Sequence, residues 1–160
     1  MKKSMSHSLV ISGLIAAQYV VLTMASAFLG LASGAVQVRM GEALTVLPCF
    51  TRAAVPGLFV GCVIANIMSG CAPWDVAFGS LATLLGASGT YAFRKNRYLA
   101  IACPILSNTI IVPFILAYVY DVGIAIPYLM LTVGAGEVIS CGVLGLMLHK
   151  AIERRPMLFE

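Results

Sequence analysis

Three short runs of this chain carry groups that can recognise a polar molecule. Glu137 sits between glycines and apolar residues in VGAGEVISC, Asn108 lies between two prolines in PILSNTIIVP, and Arg39 and Glu42 stand three apart in VQVRMGEALTVLP. A carboxylate accepts two parallel N–H bonds, an amide offers a donor and an acceptor, and a guanidinium donates to anions or carbonyls. Such groups are conspicuous here because the chain is 61% hydrophobic and only 10% charged. If the surrounding residues lie in lipid, each charge at bilayer depth costs at least about 2.5 to 3.5 kcal/mol and needs a partner or a purpose. Each also has a plainer reading. Glu137 can be a protonated acid bonded to a neighbouring helix, Asn108 a helix-to-helix bond, and Arg39 with Glu42 a local i, i+3 ion pair.

The elements that position these groups follow from length and hydropathy. A chain of 160 residues with a mean hydropathy of +1.00 has too little polar surface to coat a globule in water. A bilayer core is roughly 30 Å thick and takes about 20 helical residues to cross. Leu9 to Leu31, Pro73 to Phe93, Tyr98 to Tyr120 and Ile124 to Leu148 are each of that length, and Ala53 to Met68 is somewhat shorter. The first run is too long for the core of a cleavable signal, despite Ala25, Ser26 and Ala27 near its end. The segment Glu42 to Ala53 is apolar but short, and charge decides how to read it. With six crossings and the N-terminus inside, Lys2, Lys3, Arg52, Arg94, Lys95, Arg97, Lys150, Arg154 and Arg155 are cytoplasmic and Arg39 alone is outside. With five, Arg52 is buried in a merged helix and most of the cations face outward, against the preference of Lys and Arg for the inner side.

The sequence therefore predicts an all-α integral membrane protein of one domain, residues 1–160. Its six helices fall near 8–31, 41–51, 53–69, 73–93, 98–120 and 124–149, with both termini cytoplasmic. The second is the odd one: even from Val36 to Thr51 an α-helix is about 24 Å long and needs packing or a thinned bilayer to cross. Glu137 then lies roughly 20 Å down the sixth helix, with Gly134 and Gly136 leaving room for close approach. Pro104 and Pro113 flank Asn108 and free backbone carbonyls one turn earlier, which suits a helix that lines a cavity. Asn66 falls near the outer end of the third helix, and Trp74 with Asp75 at the outer start of the fourth. Trp74 doubles as an interface anchor and Asp75 as a first-turn carboxylate favoured by the helix dipole. Tyr128 and Gln18 are weaker candidates. Arg39 and Glu42 fall where the first outer loop enters the short second helix. Either they pair locally, or the loop folds down as a lid over a cavity walled by helices four to six, with Gln37, Arg39 or Glu42 reaching a ligand.

Several classes of function are set aside. The net charge of +4 comes from cations at the ends of apolar runs, which marks orientation rather than nucleic-acid binding. The five cysteines, Cys49, Cys62, Cys71, Cys103 and Cys141, form no CxxC pair and read as small buried hydrophobes, so no metal is expected. His7 and His149 stand at the two ends. There is no GxxxxGK[ST], HExxH or GxSxG, so ATP hydrolysis by a P-loop and hydrolytic chemistry find no support, and no cofactor is implied.

The runs VQVRMGEALTVLP, AAVPGLFVGCVIANI and PWDVAFGSLATLLGA resemble the QueT family, substrate-binding S components of energy-coupling factor transporters, over nearly all of the chain after the first helix. The resemblance implies a six-helix S component that binds a queuosine precursor, a deazaguanine such as queuine, on the outer side. It also implies docking on a module of one transmembrane scaffold subunit and two ATPases. S components of this kind present an AxxxA face on helix one. Here Ser12 with Ala16 and Gly13 with Ala17 offer small-xxx-small pairs, a departure from alanine that preserves the close-packing logic. For a guanine-like base, Glu137 or Glu42 would supply the carboxylate, Asn108 or Asn66 the amide, and Trp74 or Tyr128 a stacking face. A second reading is a self-standing proton-coupled transporter with Glu137 as relay, against which stand the small size and the lack of a visible repeat.

Overall fold

A computed structural model describes residues 5–32 and 36–154; Lys2, Lys3 and Arg155, which enter the charge count, lie outside the described residues. Among these residues every regular element is helical. α1 (Met5–Phe28) carries no acidic residue in its first turn and no basic residue in its last, and its length suits a bilayer. A 3-10 helix (Met40–Cys49) follows, then α2 (Ala54–Met68), α3 (Pro73–Ala92) and α4 (Arg97–Tyr118). The last stretch runs without a break through α5 (Ile126–Glu137), a π-helical segment (Val138–Leu144) and α6 (Gly145–Glu153).

Local sequence explains several of these boundaries. α3 and α5 open with proline in their first turn, where a missing N–H is harmless and the fixed φ suits a helix. The Asn96 side chain caps α4 by accepting from the backbone N–H of Tyr98 at 3.1 Å and of Leu99 at 3.4 Å. Pro104 and Pro113 both lie inside α4, which continues past them to Tyr118.

By length and hydropathy, Met5–Phe28, Arg97–Tyr118 and Ile126–Glu153 are long and apolar enough to cross a membrane, and Ala54–Met68 is a shorter apolar helix. The other three elements expected to cross, the 3-10 helix, α2 and α3, are not among the helices that length and hydropathy mark as long enough to span. The second element also differs in kind from the α-helix expected there. Its ten residues are wound as a 3-10 helix, which rises about 2.0 Å per residue and so spans about 20 Å. Runs this long are uncommon because the hydrogen bonds are poorer than in an α-helix. Gly41 to Pro48 are all buried, so packing on every side, rather than intrinsic preference, holds the geometry. The Thr45 hydroxyl helps by donating to Glu42 O at 2.6 Å.

α1, α2, α3, α4, the π-helical segment and α6 all pack around this central rod. α1 and α2 approach closely through small residues. A Cβ on Gly57 would lie 2.6 Å from Ser12 O, and one on Gly61 3.0 Å from Ala16 Cα. The Ser12 hydroxyl, 2.7 Å from Ala53 O, bonds the same pair of helices. Tyr19, Leu44, Leu47, Leu58 and Ala65 form the main apolar core where the rod meets α1 and α2. At one end of the bundle Cys49 and Phe50 meet the Arg94–Arg97 loop, His149 and Glu153. Arg97 Nη1 lies 3.9 Å from Glu153 Oε2 there. His149 is buried at that end, its ring 4.8 Å from that of Phe50 and its Nδ1 3.5 Å from Glu153 Oε1.

Candidate functional site

The polar residues of the apolar helices converge on one internal cavity. It is lined by Gln37, Arg39 and Glu42 from the segment entering and beginning the 3-10 helix, and by Cys62 of α2. Asp75, Gly79 and Thr83 come from α3; Asn108, Val112, Ile115 and Leu116 from α4; Val133 and Glu137 from α5. The volume of about 40 Å³ has room for a few water molecules, far below the roughly 300 Å³ or more of an ordinary small-molecule pocket. In this conformation the site is closed.

Glu137 and Glu42 face each other from different elements. Glu137, 8% exposed, is the last residue of α5, where the helix widens into the π-helical segment, a feature frequent at functional sites. Its Oε1 accepts from Asn108 Nδ2 at 3.0 Å, and its Oε2 accepts from the Cys141 thiol at 3.2 Å. Glu42, 2% exposed, accepts a short hydrogen bond from the Tyr19 hydroxyl on Oε1, while its Oε2 is buried with no hydrogen-bond partner. Carboxylate oxygens of Glu42 and Glu137 and the Cys141 sulfur all lie within 4.8 Å of one another. By spacing alone this trio could hold a cation. Glu137 and Cys141 are already bonded to each other, however, which leaves the free Glu42 oxygen as the open acceptor.

Arg39 supplies the positive charge of the cavity. Its backbone N–H donates to Ser140 Oγ at 3.1 Å, which pins it to the π-helical segment. Among the described residues the ion pairs within 4.0 Å are the two on Glu153, so Arg39 makes no such contact with Glu42. The segment carrying Arg39 lies directly on α5, for a Cβ on Gly136 would fall 2.1 Å from Gln37 O. At the other end of the cavity Tyr120 donates to Asp75 Oδ2 at 2.8 Å and accepts from the Ala72 N–H at 3.1 Å, tying the α4–α5 connection to the start of α3.

Of the residues singled out from sequence, Arg39, Glu42, Asp75, Asn108 and Glu137 line the cavity together. Asn66 is buried one layer back, its Nδ2 3.6 Å from Cys62 Sγ. Trp74 and Tyr128 are not brought to it. Trp74 is 63% exposed and stacks on Phe78 with ring centroids 5.9 Å apart, and Tyr128 is 54% exposed. Trp74 and Phe78 are one turn apart on the exposed face of α3, away from the bundle interior. No aromatic ring lines the cavity among the described residues; its flat walls are Val112, Ile115, Leu116 and Val133. The two small-residue pairs of α1 divide. Ala16 is buried and Ser12 half-buried against α2, whereas Gly13 and Ala17 are exposed.

Sequence reasoning missed Tyr19, Cys62, Thr83 and Cys141. Tyr19 carried a signal, since a tyrosine within an apolar span needs a partner for its hydroxyl. The cysteines carried none: Cys62 and Cys141 are buried as expected, but among polar groups, with Thr83 Oγ1 3.3 Å from Cys62 Sγ.

The family model described as QueT transporter matches residues 9–154. The chain belongs to the QueT transporter family. A queuosine precursor transporter, QueT, of Lactococcus lactis subsp. cremoris is 35% identical over 86 residues, covering 53% of this chain and 50% of that protein. The aligned stretch thus spans about half the length of that QueT protein. No solved structure gives a significant match.

Proposed function

We propose that this QueT-family chain is the substrate-binding S component of an energy-coupling factor importer for a queuosine precursor, queuine or a related deazaguanine. The observation that carries this reading is the buried cavity in which Glu42, Glu137, Asn108 and Arg39 converge inside an apolar bundle. A guanine-like base offers a ring N–H and an exocyclic amine side by side for a carboxylate, and a carbonyl for a donor such as Arg39 or Gln37. Without an aromatic in the lining, the faces of the base lie against Val112, Ile115, Leu116 and Val133. The related Lactococcus protein, described as a queuosine precursor transporter, favours the same ligand class.

In this reading residues 1–160 form one plasma-membrane domain that crosses six times: α1, the 3-10 helix, α2, α3, α4 and the continuous α5–α6 rod. Both termini are cytoplasmic. The gathering of Arg94, Lys95 and Arg97 with the ends of the 3-10 helix and α6 supports this orientation, because Lys and Arg favour the inner side. The cavity then opens outward, between Asp75 and the Gln37–Arg39 segment. Energy comes from a scaffold subunit with two ATPases, since the sequence has no phosphate-cradling P-loop. The exposed Gly13 and Ala17 of α1 are the small residues free to meet the scaffold.

The test is Glu137→Gln measured by binding in detergent. Losing a charge-assisted hydrogen bond is worth about 1.5 to 3 kcal/mol, so queuine affinity is expected to fall roughly 10- to 150-fold. Unchanged affinity removes Glu137 from the site. The paired carboxyls of Glu42 and Glu137 favour one other reading, a proton-coupled carrier acting alone. Uptake into vesicles holding this chain and no ATPase would establish that reading instead.

A further inference from the structure

At the end of the bundle where the 3-10 helix stops, a second cavity of about 530 Å³ shares no lining residue with the polar one. Arg94, Lys95 and Arg97 from the α3–α4 turn line it, together with His149 and Glu153 of α6. Three cations against one carboxylate leave two positive charges in excess. Glu153 is also already engaged, with Oε2 3.9 Å from Arg97 Nη1 and Oε1 3.5 Å from His149 Nδ1. Among the described residues Arg94 and Lys95 therefore have no acidic partner within 4.0 Å. Arg94 is held by donating to Tyr91 O at 2.9 Å and by lying 4.4 Å from the centroid of the Tyr91 ring. The 22-residue α4 begins at this cavity, and the N-terminus of such a helix adds partial positive charge. Surface cations alone would mark only orientation. His149 goes further: it lines the cavity although only 5% exposed, and its Nδ1 is buried without a hydrogen-bond partner. The Phe50 ring, 4.8 Å away between centroids, packs against the imidazole, so a ligand oxygen entering the cavity is the partner open to it.

We propose that this cavity binds a phosphate oxyanion, seated between the Arg94 and Lys95 side chains and the His149 imidazole. The donor set suits that group. A guanidinium presents a planar fork, an ammonium three donors around a point charge, and an imidazole one N–H, all of which the several oxygens of a phosphate can accept. Two sources carry this chemistry: the headgroup of an anionic phospholipid, and free phosphate in solution. Basic pockets between membrane helices on the cytoplasmic side are where such headgroups bind. Tyr98, which lines the cavity and is 64% exposed, favours the lipid, because a tyrosine at the end of a membrane helix sits at headgroup level. The site is independent of what the polar cavity binds.

Competitive binding of phosphatidylglycerol and phosphatidylcholine to the intact chain, read by native mass spectrometry, tests this. The anionic lipid is expected to bind at least about tenfold tighter than the zwitterionic one. In the double variant Arg94→Gln with Lys95→Gln that preference is expected to fall below about threefold. His149→Phe keeps a ring against Phe50 and removes no cation of the turn, yet it is expected to reduce the preference about threefold or more. Millimolar inorganic phosphate separates the sources. Displacement of the lipid, or a raised melting temperature against chloride of equal ionic strength, assigns the site to free phosphate; neither effect assigns it to the headgroup. Equal affinity for the two lipids with no response to phosphate overturns the proposal. An undiminished preference in the double variant or in His149→Phe also overturns it, because the anion then senses only the charge of the membrane face. Where the double variant does not fold, the wild-type comparison and His149→Phe decide the matter.

Discussion

Gly136→Ala probes how the polar segment is held over the cavity. An added Cβ would fall 2.1 Å from the Gln37 carbonyl oxygen and 3.0 Å from its carbon, where ordinary contacts are about 3.5 Å. The obstructing atoms are backbone, so no rotamer change relieves the overlap. Either α5 or the 36–39 segment must move by about 1 Å, and overpacking of this kind costs about 1 to 3 kcal/mol. Gly134→Ala, two residues earlier on the same helix, is the matched control. Its Cβ would meet only the Thr109 side chain, at 3.3 Å and 3.4 Å. Both substitutions gain the same helix preference of about 1 kcal/mol over glycine, so the difference between them isolates the clash. Displacing Gln37 also draws Arg39 away from Ser140 Oγ, its partner at 3.1 Å. The expected outcome is base affinity about 5- to 150-fold weaker in Gly136→Ala than in Gly134→Ala, read by calorimetry in detergent, with a lower melting temperature. Equal affinity and melting of the two variants would refute the placement of the 36–39 segment against α5.

Tyr19→Phe removes the donor to Glu42 Oε1 and leaves both oxygens of a buried carboxyl without a partner. A loss of about 1 to 3 kcal/mol in stability is expected, seen as a lower melting temperature in the absence of ligand and partly restored by it. Ala17→Trp places bulk on the exposed face of α1, away from α2. It is expected to retain base binding and to abolish co-purification with the scaffold subunit; co-purification at wild-type levels would move the docking face elsewhere.

The sequence was informative about which polar residues gather in one cavity and much less so about how they are arranged. Arg39, Glu42, Asp75, Asn108 and Glu137 stood out because polar groups in apolar runs are expensive, and the cavity gathers all five. Trp74 and Tyr128 stood out for their type, and type does not say which way a ring points. The outward face of α3 at Trp74 and Phe78 is set by packing of the opposite face, where Asp75, Gly79 and Thr83 are buried. The cysteines illustrate the converse, since burial was legible but Thr83 beside Cys62 and Thr45 beside Cys141 come from other elements of the chain.

Composition and hydropathy by themselves determined that the chain is helical and that its long apolar helices suit a bilayer. These are properties of each segment's transfer from water, which neighbours in space hardly alter. Only the tertiary structure decided that residues 40–49 wind as a buried 3-10 rod, that the last helix widens after Glu137, and that Glu42 faces Glu137 across the cavity. Those outcomes depend on close packing of surfaces far apart in sequence. The Gly136 contact with the Gln37 carbonyl is one such case, in which the absence of a single methyl group lets the polar segment settle where the site is built.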